Sequence, residues 1–292
     1  MYKRAKYQKR IINREGESIE CTLCPHNCII KEGKKGICKS RVNLGGTLYT
    51  LAWNNPCTIA VDPIRKKPIH HFMEGSRTLS IAVEGCNLRC LNCQNHSISI
   101  GPPKREASSL YSPKEIVNRA LEMGVPSISY TYSEPTTFYE YMLAITKEGK
   151  KVGLKNLLIS NGYINPKPLQ ELAPYIDAAN IDLKSFNPKV HLELTGAKLS
   201  PILESIKLLK KVGVWLEITH LMIPGYSDNL DHFKEMCQWL VSQSLNDTPL
   251  HISRFFPSHK LLTTPITPLS TIEEARKIAS SIGIQRVILG NI

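Results

Sequence analysis

From about residue 76 onward, short apolar runs rich in β-branched residues alternate with longer stretches of helical period. That alternation predicts a parallel sheet flanked by helices. Strands are expected at Thr78–Val83, Ser127–Tyr132, Asn156–Ser160, Ala178–Leu183, Val214–Met222 and Leu250–Phe255, with a weaker seventh at Gln285–Leu289. Two helix starts carry a capping-box spacing: Ser112 ahead of Pro113 and Glu115, and Thr271 ahead of Glu274. Helical patterns at Thr137–Gly149, Pro201–Lys211 and Asn229–Ser242 fill other crossovers. The expected fold is α/β, a partial (β/α)6 TIM-type barrel, because a full eightfold barrel takes about 250 residues and only about 215 follow residue 76.

Residues 1–75 follow a different pattern. Cys21, Cys24, Cys28 and Cys38 stand among Pro25, Gly33, Gly36, Gly45 and Gly46, which reads as an N-terminal Cys-rich metal-binding module ahead of a catalytic core at 76–292. The chain holds nine cysteines, and all but Cys237 lie between Cys21 and Cys93. A chain of 292 residues buries a core without covalent staples, so this clustering points to metal ligation. The basic start is followed by no apolar signal core, and no apolar run reaches the roughly 18 residues of a membrane span. A soluble, cytoplasmic protein without membrane association is expected. Lysine and arginine outnumber aspartate and glutamate by 37 to 25, a net charge of +12 that favours polyanions or acidic proteins without choosing between them.

The chemistry is most legible at Cys86, Cys90 and Cys93, a C-x3-C-x2-C spacing directly after the first core strand. Three thiolates on a [4Fe–4S] cluster leave one iron open to chelate a cofactor, whereas a cluster built only for electron transfer normally takes a fourth cysteine. Loops at the carboxyl ends of parallel strands form the active face of such folds, and this loop is one of them. A structural zinc site completed by His96 is the competing reading of the same residues.

This loop resembles the cluster loop of the radical S-adenosylmethionine superfamily, with Asn92 where an aromatic residue often precedes the last cysteine. The resemblance implies reductive cleavage of S-adenosylmethionine to methionine and a 5′-deoxyadenosyl radical that abstracts hydrogen from a substrate. It also implies cofactor contacts at later strand tips. Glu134, in Tyr132-Ser133-Glu134-Pro135, resembles the superfamily's Gly-Gly-Glu-Pro element and would accept from the cofactor ammonium. Ser160 and Asn161 offer polar atoms after the third strand. Asp182 and Lys184 resemble the Asp-x-Lys element of pyruvate formate-lyase activating enzymes, although Ile159 replaces an aspartate of that group's cation site. Contacts from Ile223-Pro224-Gly225 and from His251, Arg254 and His259 are weaker expectations, a histidine near a strand being more often structural. Over nearly its whole length the chain is similar to the radical enzymes of the AmmeMemoRadiSam system, on Cys21-Thr22-Leu23-Cys24-Pro25, Asp62-Pro63-Ile64, Lys66-Lys67-Pro68, Cys93-Gln94-Asn95 and Leu289-Gly290-Asn291.

Cys21, Cys24, Cys28 and Cys38 form a closed set for structural zinc or a second iron–sulfur cluster, zinc being preferred because one ion can fold a glycine-rich segment that lacks its own core. Cys57 would be free or replace one of the four. The resemblance implies a reductant such as flavodoxin or ferredoxin and leaves two substrates open, a glycyl radical enzyme or RNA. A reading of another class, a non-catalytic iron–sulfur electron carrier or zinc protein, predicts no cofactor affinity.

Overall fold

A computed structural model of the chain describes residues 2–13, 16–104 and 110–292. The first part is mostly extended: β1 (Lys3–Arg4), β2 (Gln8–Asn13), β3 (Gly16–Cys21), β4 (Ile29–Lys31), β5 (Arg41–Leu44) and β6 (Thr47–Thr50). They form two three-stranded sheets, ordered β1-β6-β5 and β2-β3-β4. Ile19, Leu23, Ile30 and Leu48 from this part are buried in the same apolar cluster as the main sheet. The segment therefore has a core, continuous with the rest, and the reason for preferring zinc there does not hold.

β7 (Thr58–Pro63) then enters an eight-stranded sheet, pairing antiparallel with β8 (Arg77–Ala82). Six further strands follow in parallel: β9 (Ser127–Tyr130), β10 (Lys155–Ser160), β11 (Ala178–Asp182), β12 (Trp215–Met222), β13 (Leu250–Arg254) and β14 (Val287–Gly290), in the spatial order β14-β13-β12-β11-β10-β9-β8-β7. The seven expected core strands are present, and β7 is an eighth without helical crossover. The helices are α1 (His96–Ser99), α2 (Pro113–Glu122), α3 (Tyr139–Lys151), α4 (Pro166–Leu172), α5 (Pro188–Thr195), α6 (Ser200–Lys211), α7 (Leu230–Ser242) and α8 (Leu269–Ile282).

Strand alternation divides the sheet by chemistry. Leu79, Ile81, Ile128, Tyr130, Leu158, Ile181, Leu216, Ile218 and Ile252 pack in one core with Ile116 of α2, Ile145 of α3, Ile206 of α6, Met236 of α7 and Ile272 of α8. Each fully buried aliphatic chain contributes about 1.5–3 kcal/mol. The intervening residues Ser80, Ser129, Asn180, Glu217, Thr219 and His251 lie on the other face. A parallel sheet covered on both faces by apolar layers would show continuous apolar strands; here the second face is mixed, with these polar residues beside a small apolar cluster of Leu157, Ala178, Ile64 and Ile69.

The Ser112 capping box forms as expected, with Ser112 accepting from the Glu115 backbone and Glu115 accepting from that of Ser112. The Thr271 start does not. α8 begins at Leu269 behind Pro268, whose fixed φ of −58° closes the extended segment three residues ahead of Thr271. α4 and α5, not anticipated, both begin with proline behind asparagine, and Asn187 caps α5 by accepting from Lys189 and Val190.

Candidate active site at the carboxyl end of the sheet

The cysteine loop follows β8, and its three thiols line a cavity of about 550 Å³ together with residues from the carboxyl ends of the neighbouring strands. Glu134, Ser160, Asn161, Asp182 and Lys184 all line the same cavity, so these five residues at the strand tips are gathered there. This volume suits a ligand of cofactor size.

Glu134 is buried and held by four donors. Its Oε1 accepts from Thr136 N (2.9 Å), Thr136 Oγ1 (2.7 Å) and Ser160 Oγ (2.8 Å), and its Oε2 accepts from Asn161 N (2.9 Å). Burial nevertheless keeps its proton affinity above that of an ordinary glutamate, with the four donors acting the other way. The Oε2 atom, with one donor, retains capacity for a cationic group. Ser160 and Asn161 thus act at this site by fixing the carboxylate. Thr136, unremarked in the sequence, supplies two of its four bonds.

Lys184 donates to Asp182 Oδ2 at 2.8 Å. Burial pulls the Lys184 ammonium down, but Asp182 and the Cys90 thiol outweigh it, and the net shift is upward. The lysine therefore stays charged beside the cysteine loop, as recognition of a carboxylate requires. Burial pushes the Cys90 thiol up to about 11 although Lys184 pulls it down. Burial, with Glu134 and Cys90 adding to it, likewise raises Cys86. Iron ligation relieves this cost by replacing the proton with a metal. Cys86 Sγ also accepts from Leu88 N at 3.3 Å and from Asn161 Nδ2 at 3.9 Å, bonds suited to anionic sulfur. The donor set, its hydrogen bonds and the room beside it fit a three-thiolate iron–sulfur cluster with a bound organic cofactor.

At one wall of the cavity Tyr132 adopts a φ of +66°, the left-handed region, where the resembling element carries glycine. Its hydroxyl donates to Asp62, the Lys67 ammonium lies 3.9 Å from its ring centroid, and its carbonyl accepts from Asn95 Nδ2 at 2.8 Å. Lys67 is buried and pairs with Asp62 at 2.7 Å. Asp62-Pro63 and Lys66-Lys67-Pro68 were visible as motifs, but their position over Tyr132 was not.

His251, Arg254 and His259 do not act together. His251 is buried toward the opposite end of the sheet, where its Nε2 meets Glu217 at 2.6 Å. Arg254 donates to the Thr267 carbonyl, and His259 stacks on His96 at 4.8 Å. None of the three lines the cavity. Ile223 lines it, at the start of the Ile223-Pro224-Gly225 loop. Among the described residues no helix is long and apolar enough to cross a membrane.

Comparison with known proteins agrees with this geometry. The chain is 42% identical over 278 residues to an uncharacterised protein of Methanocaldococcus jannaschii, covering 95% of this chain and 83% of that one. It is 30% identical over 154 residues to the pyruvate formate-lyase 1-activating enzyme of Escherichia coli K12, covering 51% of this chain and 62% of the enzyme. Among solved structures, Streptococcus suis SuiB bound to S-adenosylmethionine shares the fold with a TM-score of 0.57 at 15% identity, over 78% of this chain and 53% of that one. The family model of the radical SAM superfamily matches residues 80–240, from midway along β8 through most of α7, and the chain belongs to that superfamily.

Proposed function

We propose that this chain is an enzyme whose Cys86, Cys90 and Cys93 hold a site-differentiated [4Fe–4S] cluster, and that S-adenosylmethionine binds beside it in the 550 Å³ cavity. The observation that carries this reading is the convergence of three thiols, a buried carboxylate and a charged lysine on one cavity at the strand ends. The cluster and cofactor together supply a 5′-deoxyadenosyl radical after transfer of one electron from a reductant of the flavodoxin or ferredoxin kind. The chain's own residues do the positioning: Glu134 accepts from the cofactor ammonium, Lys184 donates to its carboxylate, and Asp182 orients the lysine. Thr219 and Ser253 also line this cavity and are where a substrate would meet the chain.

Anaerobic incubation of reconstituted, dithionite-reduced protein with S-adenosylmethionine tests the reading by the appearance of 5′-deoxyadenosine. Cys90→Ala is expected to abolish both the product and the iron at this loop. Protein that carries the cluster yet makes no 5′-deoxyadenosine, even slowly and without substrate, would overturn it.

A further inference from the structure

The active-site loop uses three cysteines, and four others stand together behind it. Cys21 closes β3, Cys24 and Cys28 lie on the loop before β4, and Cys38 precedes β5. All four are free thiols lining one cavity with His26, Arg41 and Asn87. Arg41 is buried, pairs with Glu140, and donates to Cys21 Sγ at 3.6 Å, which places a fixed positive charge beside the thiols.

The room in the cavity that the four thiols line bears on which metal they would hold. About 20 Å³ of that cavity is open to the centre of a water molecule, and about 10–15 Å³ is enough to hold one. Four thiolates around zinc sit about 2.3 Å from the ion and leave no such space at their centre. Among the described residues no three cysteine, histidine or acidic side chains are placed to share a single metal ion. A cubane, whose four irons each take one thiolate, spreads its ligands further apart and fills the middle.

The neighbourhood gives the second centre a role. A Cβ on Gly85 would come within 2.4 Å of Ser40 Oγ and 2.9 Å of the Cys38 carbonyl, so the two cysteine segments touch at the residue before Cys86. Asn87, on the other side of Cys86, lines the four-cysteine cavity, and its carbonyl meets His26 Nε2 at 2.7 Å. Its side-chain oxygen accepts from Asn161 Nδ2, which also reaches Cys86 Sγ. The wall between the two sets of thiols is thus the strip Gly85-Cys86-Asn87. A centre with four protein ligands keeps no open iron for substrate, which leaves electron transfer as its chemistry.

We propose that Cys21, Cys24, Cys28 and Cys38 hold a second, fully ligated iron–sulfur cluster that passes single electrons across this strip to the cluster at Cys86. The relay rests on the proposed function above; the occupancy does not. Per turnover a one-electron protein reductant of the ferredoxin or flavodoxin class is oxidised, the second cluster is reduced and reoxidised, and the Cys86 cluster gains one electron, with no bond made or broken in the relay.

The full chain with Cys86, Cys90 and Cys93 all changed to alanine, reconstituted anaerobically with iron and sulfide, tests occupancy. It should retain about four irons and a reduced-cluster paramagnetic signal, against about eight irons in the unaltered protein. One zinc and no iron in that variant overturns the proposal. If the variant does not fold, Cys24→Ser/Cys28→Ser in the otherwise natural chain gives the reciprocal reading, with iron falling from about eight to about four; unchanged iron overturns the proposal. In the doubly reduced natural protein, adjacency predicts spin–spin broadening that disappears in Cys24→Ser/Cys28→Ser, and two unbroadened signals overturn the relay. Iron retained in the alanine variant alongside a natural protein that makes no 5′-deoxyadenosine sinks the proposed function and leaves the second cluster standing.

Discussion

The two ends of the sheet's inner face carry similar residues and use them in opposite ways. Toward the carboxyl end, Asp182, Thr219 and Ser253 line an open cavity. Two residues earlier on the same strands, Asn180, Glu217 and His251 are buried and engaged by the protein. Glu217 accepts from His70 N, His71 N and Trp215 Nε1 and meets His251, while Asn180 Nδ2 donates to the Pro68 carbonyl. The segment after β7 engages this end through His70, His71 and Pro68, while Lys66, Lys67 and Pro68 of the same segment also line the cavity at the other end. One strand period separates an acid held by backbone and side-chain donors from one that lines the cavity.

The strongest way to break that comparison is at Glu217. Glu217→Gln removes a buried charge that four donors converge on, and should cost about 3–5 kcal/mol, the range for breaking a buried ionic contact. A fall in thermal midpoint on the order of 10 °C is expected for a chain of this size, with cofactor affinity of the folded fraction unchanged. A variant as stable as the natural chain would show that this end is not a structural plug. Next comes Lys184→Met at the other end. Loss of a charge-assisted bond worth about 1.5–3 kcal/mol should weaken S-adenosylmethionine binding at least tenfold, with the thermal midpoint nearly unmoved because Lys184 and Asp182 are partly exposed. Equilibrium binding to the reconstituted protein, set beside its melting curve, separates the two effects.

How much of this was legible in the sequence follows the same division. Cys86, Cys90, Cys93, Glu134, Asp182 and Lys184 were readable because strand ends are marked by turn residues, and chemistry at strand ends has a recognisable spacing. The core strands were readable from their apolar runs. Glu217 and His70 carry no local signal, and His251 meets Glu217 in place of the cofactor contact expected of it. Their partners are up to 147 residues away, and no local spacing encodes such a contact. The polar alternation Asn180, Asp182 and Glu217, Thr219 could have signalled the mixed second face. The Asn165-Pro166 and Asn187-Pro188 pairs could have signalled two further helix starts. The N-terminal strands escaped because glycines and cysteines masked the buried positions Ile19, Ile30 and Leu48.

Acid sharpens the contrast between ends. Burial raises Glu134, so on acidification it takes up a proton before an ordinary glutamate does, and its attraction for an ammonium is lost first. Glu217 is displaced the other way: burial raises it, but His251, the two backbone donors and Trp215 outweigh this and hold it below the usual range. Its stabilisation is present above the unfolded value of about 4.3 and is lost only as pH falls through the depressed folded value. Cofactor affinity should therefore weaken on acidification before the thermal midpoint falls, and destabilisation should appear only below about pH 4. Parallel binding and melting series on acidification measure both; a midpoint that falls together with affinity contradicts the assignment.

Tyr132 joins the two ends, and a change there has the smallest expected effect. Its left-handed backbone costs about 1–3 kcal/mol for a residue with a side chain, where glycine would rest without strain. The conformation is held from both sides: Asn95, on the loop after Cys93, donates to its carbonyl, while Asp62 of β7 and Lys67 of the covering segment take its hydroxyl and ring. Asp62 is itself held well below the ordinary carboxylate range, burial opposing and the bonds from Lys67, Tyr132 and Lys66 prevailing. Tyr132→Phe removes one of those bonds and leaves the lysine–ring contact, so about 1 kcal/mol of stability should be lost. Affinity for S-adenosylmethionine should change less than twofold, since the carbonyl bond to Asn95 remains. A much larger loss of affinity would mean that the covering segment positions the cofactor site as well as closing the far end, and the division between the two ends would have to be redrawn at this residue.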